Sequence, residues 1–510
     1  MTDLTSLPVE ILSEIVGYLE KKSLASVRLT NRVLNDIAAR HLFSSVTLYV
    51  SFVSDNDFED EDEDYPYCEY EEEGKYDPQI FRNILESEML NKYVKKVDVY
   101  LCKTHCDHNP NHKDMNILHN YDPEYSNEWW SCIRDLKTFP SLSAVNIHFD
   151  HHASEASYHE FRDILHEPQD RLELSHQIFS YLKGPNAPRI RHLGIRHYQD
   201  EGLAEKDHPE RRWVLEGLES LRMSISHKEI GGEGDYGDTL REGDPHTFWR
   251  HFPTNFLKPT IPTLQKLVLY SNLPLGFFPS IDLTNLHFPH LRYLCLGNFM
   301  FAQEAQFDWI ISHAATLQEL YLDQCAILYQ VGYTIRGWLG ENGFPIAHPP
   351  GDQNYYGKSF TPLEDHERNG EIDELLKLPA YATRWSDVFA RFKNELPHLL
   401  RFAFGRSGKW KHRVESRCGP FGSLPMMPWE AEEEIERYSW RDNYKIYCDW
   451  DSEYRGRWEE EIDFDEWRYQ PIERWIKRFE SYPHCEIEDI SALEGLLEAI
   501  KRRGGSGMFG

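Results

Sequence analysis

One apolar unit, L-x-x-L-x-L with Ile, Val, Met or Phe substituting, recurs eight times and constrains the fold more than anything else in these 510 residues. It stands at Val94/Val97/Val99, Leu142/Val145/Ile147, Ile190/Leu193/Ile195 and Leu218/Leu221/Met223. It continues at Leu264/Leu267/Leu269, Leu291/Leu294/Leu296, Leu317/Leu320/Leu322 and Leu399/Phe402/Phe404. The alternation in each describes one short strand with a buried face. Pro140, Pro188, Pro262, Pro289 and Pro397 mark turns ahead of five of them. A single such strand cannot bury its own face, but neighbours stacked side by side can. Helical stretches such as 304–315 would cover the other side. The prediction is therefore an α/β body of parallel strands over residues 90–405.

Ahead of it, residues 4–42 read as three short helices. Ile11, Leu12, Ile15, Val16 and Leu19 fall on one broad face of the first, behind Leu7-Pro8. Leu24 and Val27 belong to the second. The third follows Thr30-Asn31 and carries Val33, Leu34, Ile37, Ala38 and Leu42. Some forty residues barely make an autonomous core, so part of this apolar surface has no partner inside the helices. It packs either on the rest of the chain or on another protein.

The string Leu7-Pro8-Val9-Glu10-Ile11-Leu12-Ser13-Glu14-Ile15-Val16-Gly17-Tyr18-Leu19 closely resembles the opening of an F-box. Residues Ser23–Arg32 and the ending Ile37–Phe43 resemble its continuation. The Leu29-Thr30-Asn31-Arg32 variant and the Leu42-Phe43 ending look like F-box proteins of filamentous fungi. The strand units are similar to the irregular leucine-rich repeats that follow many F-boxes. Three of their seven spacings (28, 27 and 26) fall in the usual repeat range of about 20–29 residues. Asn272, Asn298 and Cys325 stand where such repeats carry a signature Asn or Cys.

The resemblance implies a substrate-receptor subunit of a Skp–cullin–F-box ubiquitin ligase. Leu7, Pro8, Ile11, Leu12, Ile15, Leu19, Leu24 and Val27 match positions that grip a Skp-type adaptor, and through it a cullin. Some of them must instead hold the helices together, and the pattern does not divide the two sets. On the repeat body, residues beside the core positions would project onto a concave face, among them Val268, Cys295 and Asp323. Tyr and Arg combine large area with a polar tip. Tyr270, Arg292, Tyr293 and Tyr321 are thus the candidate target-binding residues. The alternative is an F-box scaffold working outside the ligase. The expected layout is an F-box at 1–45, a linker at 46–89 and an irregular leucine-rich-repeat-like solenoid at 90–405. A helical cap at 406–510 completes it.

Charge narrows the partners. With 55 basic and 85 acidic residues, the net charge is −30. A nucleic-acid or anionic-membrane surface needs cationic excess, so neither partner is expected. Residues 55–73 hold twelve carboxylates and read as an acidic, disordered insert. The stretches 228–245 and 340–375 read as long loops. Against this background, Arg401, Arg406, Lys409, Lys411, Arg413 and Arg417 form a local reversal. It either binds an acidic segment or pairs with the acid-rich 430–466. Half of the fourteen Trp lie between Trp410 and Trp475, in the expected cap. Ser491 with Glu494 reads as a capping box opening a last helix.

No catalytic motif emerges: the glycine run 231–237 lacks the Lys-Ser/Thr of a P-loop, and no G-x-S-x-G occurs. The cluster Cys102, His105, Cys106, His108 and His112 has zinc-type ligands, but their spacing fits no known pattern. It reads as a His-rich loop, with zinc the alternative. His148 reads as a core or loop histidine. No cofactor or metal is expected, and the chain is read as a non-catalytic subunit. Nine irregularly spaced Cys, an N-terminus without a signal-peptide pattern and no long apolar run point to the cytosol or nucleus.

Overall fold

Asn31 sets the start of the third helix: its side-chain oxygen accepts the Leu34 N–H at 2.9 Å. The three helices are α1 (Val9–Gly17), α2 (Lys21–Val27) and α3 (Arg32–Leu42). Pro8 is the N-cap of α1, and its carbonyl accepts the Leu12 N–H at 3.0 Å. The computed structural model describes residues 7–49, 78–101, 127–149, 168–184, 187–200, 208–226, 243–277, 279–333, 376–377, 381–405, 443–449 and 483–509. The chain divides into two compact units. The first is Met1–Asp150, Phe161–His197 and His208–Ser220. The second is His151–Glu160, Tyr198–Asp207 and Leu221–Gly510.

In the first unit, α3 runs within two residues into β1 (Ser45–Tyr49). β1 pairs in parallel with β2 (Lys96–Tyr100), β2 with β3 (Ala144–His148), and β3 with β4 (His192–Gln199). α4 (Pro78–Glu86), α5 (Asn127–Asp135), α6 (Pro168–Tyr181) and α7 (Pro209–Leu215) lie between the strands in sequence. The segment 46–89, predicted as a linker, thus holds most of β1 and all of α4 among its described residues. Val46 and Leu48 of β1 are buried in the sheet, and α4 turns Phe81 and Leu85 inward.

The second unit begins with β5 (Ser220–Ser226) and α8 (Gly243–Phe252). β6 (Lys266–Leu275), β7 (Tyr293–Phe301), α9 (Glu304–Ile311), β8 (Glu319–Asp323), β9 (Ala326–Tyr333) and β10 (Leu376–Lys377) follow. α10 (Trp385–Glu395), β11 (Arg401–Gly405), β12 (Tyr444–Asp449), α11 (Glu486–Arg502) and β13 (Ser506–Phe509) complete it. A parallel row runs β6-β7-β8-β11-β13. β9 branches from the end of β7 in parallel and takes β12 in parallel and β10 antiparallel.

All eight apolar units form strands, each strand starting two residues after its unit's first position. None of their twenty-four core residues is more than 2% exposed. The Asn298 amide donates to Ser271 O at 3.2 Å and the Cys325 thiol to Leu296 O at 3.3 Å, so both signature residues bind the preceding strand.

The opposite face of this row is not open as predicted. Val268, Tyr270, Cys295 and Asp323 are all buried. Tyr270 lies flat over Gly297 of the next strand: a Cβ there would stand 1.8 Å from the ring. Only hydrogen at that position leaves room for the ring.

The last helix begins at Glu486, five residues before the predicted capping box at Ser491. Asp489 anchors it. The buried carboxylate accepts from Tyr444 Oη at 2.6 Å and from Ser386 N–H at 2.7 Å. Leu493, Leu496 and Ile500 face inward. Gly504, at φ +82°, then turns the chain into β13 on the edge of β11. The acidic insert and the loop 340–375 fall outside the described residues, as do the loop 228–245 apart from its last three positions and the Trp-rich stretch apart from residues 443–449, which hold β12.

Candidate functional site

The helices of the first unit have two apolar faces. Leu12, Val16, Leu24, Leu34, Ile37 and Ala38 form an inner core, with Val27 and Leu42 packed against it. Gly17 lets α1 approach α3 closely: a Cβ there would meet the His41 ring at 3.1 Å. The Ser13 hydroxyl and His41 Nε2 are hydrogen-bonded at 3.0 Å across the same contact.

The outer face has no such partners among the described residues. Leu7, Ile11, Ile15 and Leu19, spaced by one helical turn each, are exposed, as are Pro8 and Val9. Tyr18, Leu29 and Val33 extend the surface. Among the described residues thirteen large hydrophobics are exposed, and eight of them lie between Leu7 and Val33. Scattered exposed apolar residues are ordinary, but a concentration of this kind marks an interaction surface. Each such side chain gains roughly 1.5–3 kcal/mol when fully buried. The structure thus divides the eight candidates that the sequence left undivided. Leu12 and Leu24 belong to the core, Val27 packs on its edge, and Leu7, Pro8, Ile11, Ile15 and Leu19 face outward.

Of the second candidate set, Tyr270 is excluded as an exposed contact. It is 2% exposed and its hydroxyl donates to Gln324 Oε1 at 2.9 Å. Sequence alternation put it on the correct face but not under its cover. Arg292 is exposed, and Tyr293 and Tyr321 are half-buried. The two tyrosines stack with ring centres 4.9 Å apart. Lys266, expected on the same face, and Arg401, from the basic stretch expected at its rim, join them: Lys266 Nζ lies 4.0 Å from the Tyr293 ring centre and Arg401 3.5 Å from Glu319. Burial and the Glu319 carboxylate raise the Tyr321 pKa, so its hydroxyl stays protonated.

His148 sits in the sheet core of the first unit, stacked on Tyr100 at 4.3 Å and 3.4 Å from Asp98. Burial lowers its pKa, which keeps the imidazole neutral. Burial would raise Asp98, yet His148, Lys96 and Asn146 outweigh it and hold the carboxyl well below its usual range. Among the described residues no three His, Cys, Asp or Glu side chains are grouped as metal ligands, and the stretch from Cys102 to His112 lies outside them. No helix among them is long and apolar enough to cross a membrane.

Residues 4–49, which hold α1, α2, α3 and β1, match the F-box-like family model. No curated protein matches the chain.

Proposed function

We propose that this chain, F-box-like over residues 4–49, is the substrate-receptor subunit of a Skp–cullin–F-box ubiquitin ligase. The outward stripe of Leu7, Pro8, Ile11, Ile15 and Leu19 carries the reading, because it lies within the matched segment and is both apolar and exposed. In this reading the stripe grips a Skp-type adaptor, and the adaptor brings a cullin. The parallel-strand body presents a protein target. Its apolar units and the Asn298 and Cys325 backbone contacts support an irregular leucine-rich-repeat body. The chain performs no covalent chemistry. It raises the target's effective concentration and orients it. The free thiols Cys132, Cys295, Cys325 and Cys485 suit a reducing compartment, the cytosol or nucleus.

The test pairs two variants. Ile11→Ala with Ile15→Ala removes outward side chains and should weaken adaptor binding at least about tenfold while leaving the fold intact. Leu12→Ala should instead lower stability. Full adaptor binding by the folded double variant would remove the proposal. Adaptor binding without cullin in the purified complex would assign the chain to a scaffold outside the ligase.

A further inference from the structure

We propose that the N-terminal rim of β6, β7, β8 and β11 docks the target, and that the docking segment is an acidic peptide. This rests on the receptor reading above. Lys266, Tyr293, Glu319 and Arg401 are the first residues of four adjacent parallel strands and stand in register. Tyr293 stacks on Tyr321, and the Tyr321 hydroxyl donates to Glu319 Oε2 at 2.7 Å. Beneath the two rings lie buried Val268 and Cys295. The rings therefore form a supported platform, and little ordering is needed when a partner lands on it.

Charge identifies that partner. Among the described residues the rim carries Lys266, Arg292 and Arg401 beside the carboxylate of Glu319, which already serves Tyr321 and Arg401. The Arg401 side chain is 61% exposed. Arg292 is exposed on a backbone fixed at both sides: its N–H donates to Gln265 O and its carbonyl accepts the Gln318 N–H, each at 2.8 Å. Exposed guanidinium groups on such a fixed backbone bind carboxylates through paired, charge-assisted hydrogen bonds. On a chain of net charge −30, such a cationic rim steers an anionic segment to this place and away from the rest of the surface. The half-buried tyrosine faces suit an apolar or aromatic side chain within that segment.

Short random peptides displayed on phage would be panned on the full chain and on two variants, Arg292→Glu with Arg401→Glu and Tyr293→Ala with Tyr321→Ala. The wild-type pool should become rich in Asp and Glu with an aromatic residue. Its best peptide should lose about tenfold or more in affinity on each variant, and on raising the salt. A pool without acidic enrichment overturns the proposal, as does equal binding to the charge-reversed variant at an unchanged thermal transition. Adaptor binding is measured on the same samples. Failure of the wild-type chain to bind the adaptor, with the peptide results as expected, would remove the receptor reading and leave the acidic-peptide site standing.

Discussion

The Tyr93 hydroxyl donates a hydrogen bond to the Asp36 carboxylate, joining α3 of the F-box-like helices to the turn that leads into β2. Asp36 also accepts from Arg40 at 2.6 Å. The Tyr93 hydrogen bond, with Arg40 beside it, lowers the Asp36 pKa. With β1 following α3 directly, the helices are built into the first unit instead of hanging from it.

Replacing Tyr93 by Phe keeps the ring and removes this bond. The loss should be about 1 kcal/mol, so α3 amides should exchange with deuterium about fivefold faster. Adaptor affinity should stay within about twofold, because Tyr93 is not on the outward stripe. Unchanged exchange in α3 would show that the contact does not hold the helices.

Gly297→Ala places a methyl group in the Tyr270 ring and should cost about 2 kcal/mol or more. Tyr270→Ala clears that space while leaving a cavity of its own. The double variant should therefore be more stable than the sum of the two single losses predicts, as read by urea titration. Strict additivity would place the ring elsewhere.

Leu294 is fully buried at the centre of the β6-β7-β8 row. Leu294→Asp puts a carboxylate without a partner in an apolar core and should abolish the cooperative thermal transition of the second unit. Gln318→Asp, on an exposed neighbour, should shift it little. A normal transition for Leu294→Asp would refute the strand register.

His313 gives the second unit an acid-side weakness. Its Nδ1–H donates to Trp309 O at 2.9 Å, and Nε2 accepts the Phe288 N–H at 3.1 Å. Both ring nitrogens are thus used by the neutral form. Burial, with the nearby His287, lowers its pKa from 6.5 to about 4. The unfolded chain then binds the proton first, so stability falls as pH drops from about 6.5 to about 4, by roughly 3 kcal/mol. His313→Gln should flatten that part of the pH–stability curve. An equal slope in the variant would assign the acid sensitivity to other groups.

Strand existence was legible because each core face is written locally. Three apolar residues within six positions specify one strand, and all eight units obeyed. β1 and β13 were not legible. They are four or five residues long and are held by pairing with β2 and β11, far away in sequence; β13 lacks the leading apolar position, whereas β1 has one, Phe43, that reads as the end of the helical segment.

The candidate site divided in the same way. Sequence alone determined that α1 is apolar around much of its circumference, and the resemblance supplied a reason for that. Which residues point inward was decided by α2 and α3, whose Leu24, Leu34 and Ile37 cover Leu12 and Val16 but do not reach Ile11 or Ile15. Tyr270 shows the same limit. Alternation fixes the side of the sheet, whereas burial depends on Gly297 and Gln324, residues that reach it only through strand stacking. Period-two patterning is a property of one strand, but exposure belongs to everything packed around it.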